Sequence, residues 1–434
     1  MNPLDDRQVM SARAIPVLET VIKVSQSKES WAESIQFSHN HDPILEEGRR
    51  TAAFEASQAI WVDALSVPND EPARTVCLQG MGEIYSSAHQ VFAVLTGRCA
   101  DILKNLRRTG KLAPPELLAL EGEDWINRAW TYQEAVNSRA LYFVAEGNKN
   151  VMISGHDFLN ALMKAIDDYK LSHKMDNNTW AKRHPRVYQF EAVLADYRIA
   201  DYATRSAYQV MSVMDQRVSK RDEDHHDAMI GAITTLPSKS EGDKPLHPSE
   251  YLMRVCEEKG DFSFIYSTAP RSEALGQRWR PIEGNFPTVL PGLVIFGSGQ
   301  AGFLESTHLQ LDNMCRLRPG AITSDGLKAA RWFIGDDSGG MSPDGTAFGV
   351  LERLRALGFT GCGEYIELKN GYFFPQAMAV SSDEVFVVVS RDIDWVTGGP
   401  GLLLSENDKE IREFCDVGAF VGRVPKFGES IKVG

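Results

Sequence analysis

Ile60-Trp61-Val62-Asp63-Ala64-Leu65 is largely apolar and reads as a buried strand. Pro68, Asn69 and Asp70 follow as turn residues. Asp70 is placed to cap a helix whose first turn holds Pro72. The apolar face of that helix reads Cys77, Met81, Ile84, Tyr85 and Ala88, at helical spacing. Val91–Leu95 is a second short apolar strand, and Thr96 to Glu123 a longer connection with basic and proline-rich stretches. A second helix begins near Asp124, and Leu141–Val144 forms a third strand. Strand, helix, strand, helix, strand predicts an α/β fold with a parallel sheet and right-handed crossovers. Ligands of such sheets sit beyond the carboxyl ends of the strands, which points to the loops after Leu65 and Leu95.

Outward from this segment the pattern changes twice. Residues 155 to 235 read as helical, with a stripe of Phe158, Leu162, Ala165 and Ile166. From about 260 onward, short β-rich runs are broken by Gly and Pro: Thr288–Gly299, Tyr365–Leu368, Glu384–Ser390 and Gly418–Val424. Ser238–Lys244 is a polar linker. The organisation predicted is an α/β domain over 15–150, a helical extension over 151–237, and a mixed α/β C-terminal region over 245–434. A chain of 434 residues suits more than one core. Its net charge of -13 argues against broad nucleic-acid binding, which needs a basic face. Six cysteines without a Cys-x-x-Cys pair predict reduced thiols and a cytoplasmic location. No basic segment followed by an apolar one opens the chain, so no signal peptide is expected. Apolar runs such as Val385–Val389 are far too short to span a bilayer, so no membrane association is expected.

The helix near Asp124 carries the strongest candidate for chemistry. At about 100° per residue, Trp125, Ala129, Tyr132 and Val136 form one stripe facing the sheet. Glu134 falls about 180° from Trp125 and about 40° from Trp130 by the same arithmetic. Trp130 and Glu134 are therefore neighbours on the other face. A tryptophan there is free to wall a pocket or to pack against the C-terminal region. The plainer alternative is a surface carboxylate paired with Arg128 or Arg139, since exposed glutamates on helices are common. Other constellations are weaker. The adjacent histidines of Asp222–Asp227 lack the spacing of a helical metal pair, so that run reads as a solvated turn before a helix, with no metal. Gly335–Gly340 lacks the spacing of a phosphate loop and reads as a surface turn. There is no Gly-x-Ser-x-Gly elbow for serine hydrolysis.

Three blocks, Ile60–Leu65, Met81-Gly82-Glu83-Ile84-Tyr85-Ser86-Ser87-Ala88, and Arg128-Ala129-Trp130-Thr131-Tyr132-Gln133-Glu134, together resemble the heterokaryon incompatibility (HET) domain family of fungi. The resemblance covers roughly residues 15 to 150, with a looser echo at Asp224, Ala228 and Gly231. The family's first strand has only Val21-Ile22-Lys23-Val24-Ser25 as a counterpart, and its usual Cys-Ile-Asn-Gln is here Ser66-Val67-Pro68-Asn69. The resemblance implies a fold similar to Toll/interleukin-1 receptor (TIR) domains, which is flavodoxin-like, and a role in non-self recognition and programmed cell death. Many TIR-like domains cleave NAD with a glutamate four residues after a tryptophan, so it implies a catalytic Glu134 beside Trp130. Asp63 would orient the ribose or a loop, or else cap a turn. Arg128 would meet phosphate or pair with Asp124. Ser66 lies on the loop bordering the site. NAD enters as substrate; no resident cofactor is implied. Two readings stay open: an NAD glycohydrolase, or a non-catalytic module that signals by self-association or through a protein partner.

Overall fold

The computed structural model describes residues 61, 66–70, 73–147, 151–199, 205–215, 217–219, 223–234, 246–274, 276–282, 285–290, 299–305, 308–336, 340–377, 385–393, 395, 397–405 and 410–434. The expected strand Ile60–Leu65, Trp61 apart, and the Val21–Ser25 segment lie outside the described residues. The chain divides into two compact units, residues 1–202 with 234–245, and residues 203–233 with 246–434.

The first unit opens with helices α1 (Ala73–Gln79) and α2 (Met81–Ser87). A single helix is expected there, but it is broken at Gly80, glycine being the weakest helix former after proline. Strand β1 (Val91–Leu95) follows, then α3 (Ala100–Thr109) and α4 (Pro114–Ala119). Helix α5 (Trp130–Asn137) leads into β2 (Leu141–Ala145) and β3 (Ile153–Ser154). Three helices complete the unit: α6 (Gly155–Ser172), α7 (Asn177–Arg183) and α8 (Pro185–Ile199). As the apolar runs predict, β1 and β2 pair in parallel, from Val91 opposite Leu141 to Leu95 opposite Ala145. The helices between them make the crossover that a parallel pair requires. Strand β3 adds to β2 in the antiparallel sense. Behind the sheet, Trp125, Phe143, Phe158 and Phe190 form an aromatic cluster, with the Phe143 and Phe158 rings stacked at 4.2 Å.

The second unit begins with α9 (Ala207–Met214), α10 (Glu223–Ile233) and α11 (Pro248–Lys259). The expected extension over 151–237 is thus divided, because residues 203–233 belong with the C-terminal unit. Hydrogen bonds supply the reason. The buried Asp261 carboxylate accepts from the Ala207 N–H at 2.6 Å, and the Ser263 hydroxyl accepts from the Tyr208 N–H at 2.9 Å. These two bonds satisfy donors at the first turn of α9 that no helix can satisfy internally. The Lys259 ammonium donates to the Arg205 carbonyl at 2.7 Å.

Strands β4 (Gly302–Glu305) and β5 (His308–Leu317) precede α12 (Ser324–Ile334) and α13 (Pro343–Ala356). Then come β6 (Ile366–Leu368), β7 (Gly371–Pro375), β8 (Val385–Ser390), β9 (Gly399–Ser405), β10 (Phe414–Gly422) and β11 (Glu429–Val433). They form an antiparallel sheet in the order β11-β5-β8-β9-β10-β7-β6, with β4 also on β5. The runs expected at 365–368, 384–390 and 418–424 become β6, β8 and part of β10. Of the run expected at 288–299, Thr288 makes an isolated bridge with Ser267, and residues 291–298 lie outside the described set. No helix among the described residues is long and apolar enough to cross a membrane.

Gly398 enters β9 at φ 101°, a conformation that costs other residues strain. A methyl group there would also collide with the Phe420 carbonyl oxygen. Gly398→Ala is expected to destabilise this unit by about 2–4 kcal/mol, read as a lowered denaturant midpoint. An unchanged midpoint would refute the packing described for this corner.

Candidate functional site

The polypeptide between α4 and α5 is not the continuous helix expected from Asp124. Trp125–Asn127 forms one 3-10 turn, Arg128 is extended (φ -82°, ψ 139°), and α5 begins at Trp130. Side chains explain the break. The Glu123 carboxylate accepts from the Trp125 N–H at 3.1 Å, and the buried Thr131 hydroxyl bridges the carbonyls of Trp125 (2.7 Å) and Arg128 (2.8 Å). Such local bonds compete with the helix ladder and hold the kink. The wheel that set Trp125 opposite Glu134 therefore does not apply. The relation of Trp130 to Glu134 survives, since both lie in α5, one turn apart.

Helix α5 packs against α2, α8, β1 and the 3-10 turn. Thr131, Tyr132, Gln133, Ala135, Val136 and Asn137 are buried, and only Trp130 and Glu134 retain intermediate exposure. The helix therefore presents one partly accessible face, formed by an indole and a carboxylate. Tyr132 fixes the opposite side: its hydroxyl donates to the buried Asp196 carboxylate on α8 at 2.7 Å. Tyr132→Phe is expected to cost about 1–3 kcal/mol by weakening the hydrogen bonding of a buried carboxylate. Faster amide exchange in α5 and α8 would report it, and unchanged exchange would contradict it. Gln133, adjacent to Glu134, is fully buried, and both its amide atoms lack a hydrogen-bond partner among the described residues.

A second carboxylate, not singled out from the sequence, organises the loop beyond the carboxyl end of β1. Glu123 is 1% exposed. Its Oε2 accepts from the Thr96 N–H (3.0 Å), the Thr96 hydroxyl (2.8 Å) and the Cys99 thiol (3.3 Å). Burial first, and the Glu123 carboxylate second, push the Cys99 thiol up to about 12. The sequence signal was slight: a glutamate two residues before a tryptophan, in an acidic stretch.

The remaining predicted positions divide as follows. Ser66 is half-buried, Arg128 is exposed, and Asp63 lies outside the described residues. Asp124 pairs with Arg186 at 3.0 Å. Tyr85 is buried, as the apolar stripe of its helix predicts. Of the run Asp222–Asp227, expected as a solvated turn before a helix, Glu223–Asp227 lies within α10 with Asp224, His226 and Asp227 buried, and Asp222 lies outside the described residues. Gly335 caps α12 in the left-handed conformation, while 337–339 lie outside the described set. None of the six cysteines is in a disulfide.

Residues 19–118 match the family model described as Heterokaryon incompatibility protein (HET). The match takes in α1, α2 and β1 and ends before Trp130 and Glu134. Comparison with curated proteins and with solved structures gives no match.

Proposed function

From the premise that this chain carries a heterokaryon incompatibility (HET) domain, we propose that it is an effector of non-self recognition that cleaves the nicotinamide–ribose bond of NAD with Glu134. The observation that supports this most is the exposure pattern of α5. A helix packed on most sides leaves accessible only a tryptophan and, one turn later, a glutamate. A carboxylate kept purely for solubility is more usually found on a helix with a broad solvent face. The first unit is proposed to be TIR-like, with its site formed by α5 and the loop beyond β1.

The chemistry suits one carboxylate. The C1′–N bond breaks, and its electron pair goes to the pyridinium nitrogen, so nicotinamide leaves neutral and needs no general acid. The ribosyl centre develops oxocarbenium character, as in glycoside hydrolysis. Glu134 stabilises that charge electrostatically. Water then adds to C1′ and releases a proton, giving ADP-ribose. Trp130 offers a ring face to stack on the base or to exclude water. Asp63, Ser66 and Arg128 are proposed to contact the ribose and phosphates.

The test is nicotinamide release from NAD by concentrated purified protein, followed by chromatography. Release is the expected result. Its absence from folded, self-associating protein would replace this reading with a non-catalytic module that signals by assembly. The change of the family's Cys-Ile-Asn-Gln to Ser66-Val67-Pro68-Asn69 is the feature that favours that alternative.

A further inference from the structure

Beyond the carboxyl end of β1 the chain runs Thr96-Gly97-Arg98 toward α3. Arg98 is exposed, yet its guanidinium is held in one direction. Its Nε–H donates to the Thr96 hydroxyl oxygen at 3.2 Å, and that hydroxyl donates onward to the buried Glu123 carboxylate at 2.8 Å. The one hydroxyl proton goes to Glu123, which leaves the oxygen to accept from Arg98. A bond chain anchored on a buried charge thus restrains a side chain that otherwise samples many rotamers. The guanidinium lies over Gly122, where a methyl group would come within 2.8 Å of Nη1. With Nε engaged, the terminal nitrogens keep their donors for another group. Arg98 is in no ion pair among the described residues. The carboxylates flanking Arg98 and Gly122 in the chain are engaged otherwise: Asp101 with Lys104, Asp124 with Arg186, and Glu121 with the backbone N–H groups of Arg186 and Val187. Glu123 itself is satisfied by four neutral donors and by none from Arg98.

We propose that Arg98 seats the diphosphate of a nucleotide substrate, its terminal N–H groups on the oxygens of one phosphate. This rests on the NAD reading above, which puts a diphosphate in a site bordered by this loop. The place suits the fold, since parallel sheets take ligands beyond the carboxyl ends of their strands. The chemistry suits the group, since a planar guanidinium matches two phosphate oxygens and its charge strengthens both bonds. The diphosphate is unchanged when the C1′–N bond breaks, so this contact is equal in ground state and transition state. Arg98 therefore acts on KM and not on kcat.

ADP and adenosine are the probes, with affinity read by ligand-observed NMR on the full chain. Neither contains the bond assigned to Glu134, so binding is measured apart from cleavage. ADP is expected to bind roughly tenfold more tightly than adenosine, and Arg98→Ala to remove that difference. Gly122→Ala keeps the charge but displaces the guanidinium, and should weaken ADP alone. Arg108→Ala removes an equal charge near the far end of α3 and should change neither affinity. Arg98 and Arg108 are exposed, so their variants should fold as the parent does. No ADP binding, equal affinity for ADP and adenosine, or a preference for ADP that survives Arg98→Ala or Gly122→Ala overturns the assignment. ADP binding that depends on Arg98, in protein that releases no nicotinamide, upholds the seat and removes the cleavage step alone. Nicotinamide release with a KM unchanged by Arg98→Ala removes the seat and leaves the cleavage step standing.

Discussion

Glu134→Gln is expected to lower nicotinamide release by about 10³-fold while leaving the melting temperature nearly unchanged. The substitution keeps size and shape and removes one negative charge. In the proposed reaction that charge faces a ribosyl cation present only in the transition state, so its loss falls on kcat rather than KM. Removing one preorganised electrostatic group costs roughly 10²–10³-fold in kcat, and a full charge belongs at the upper end. Fold stability should hardly respond, because Glu134 is partly exposed whereas its buried neighbours hold α5. Trp130→Ala separates the two roles of the face. If the indole stacks on the base, KM rises more than kcat falls. A Glu134→Gln protein that hydrolyses NAD at the parental rate would remove the catalytic assignment, whatever the family.

The parallel pairing of β1 and β2 was legible because both strands are short apolar runs flanked by helical or turn patterns. The Trp130–Glu134 pair was legible because four-residue spacing places side chains together in any α-helix, however the chain enters it. The kink at Arg128 was not. It depends on Glu123 and Thr131 bonding to backbone groups, and neither residue differs in type from others that lie exposed. Strand β9 was hidden for a related reason. Gly399-Pro400-Gly401 reads as a turn, yet Pro400 pairs only with Ala419 of β10, while the ladder to β8 starts at Gly401. The missing N–H thus falls past the end of one ladder, where a proline is tolerated. The place of α9 in the second unit rests on Asp261 and Ser263, some fifty residues along the chain, a distance that no periodicity reports. The burial of Asp224, His226 and Asp227 was obscured by their polarity, which ordinarily predicts exposure.

Glu123→Ala is expected to have the largest effect on stability, about 3–5 kcal/mol. The substitution strips partners from the Thr96 N–H and hydroxyl, the Cys99 thiol and the Trp125 N–H at once. A buried donor left unsatisfied costs about 1–3 kcal/mol, and water entering beside the half-buried Thr96 recovers part of the sum. Glu123→Gln should cost less, about 1–2 kcal/mol. Its single oxygen can keep the three donors on one side, but its amide then meets the Trp125 N–H, donor against donor. The loss should be local to the loop after β1 and the 3-10 turn, so hydrogen exchange at 91–99 and 123–127 is the measurement. Cys99 provides an independent readout. The native thiol keeps its proton to about 12, against 9.0 for an ordinary one, so above pH 9 the unfolded chain loses a proton that the folded chain retains. This group therefore withdraws stability as pH rises from about 9 toward 12. Removing Glu123 takes away the neighbouring negative charge and the bond that raise the thiol, so Cys99 should be alkylated faster at pH 8 in the variant. Alkylation and exchange both at parental rates would mean that burial alone holds this loop, and that the carboxylate at the end of β1 is a bystander to the site it borders.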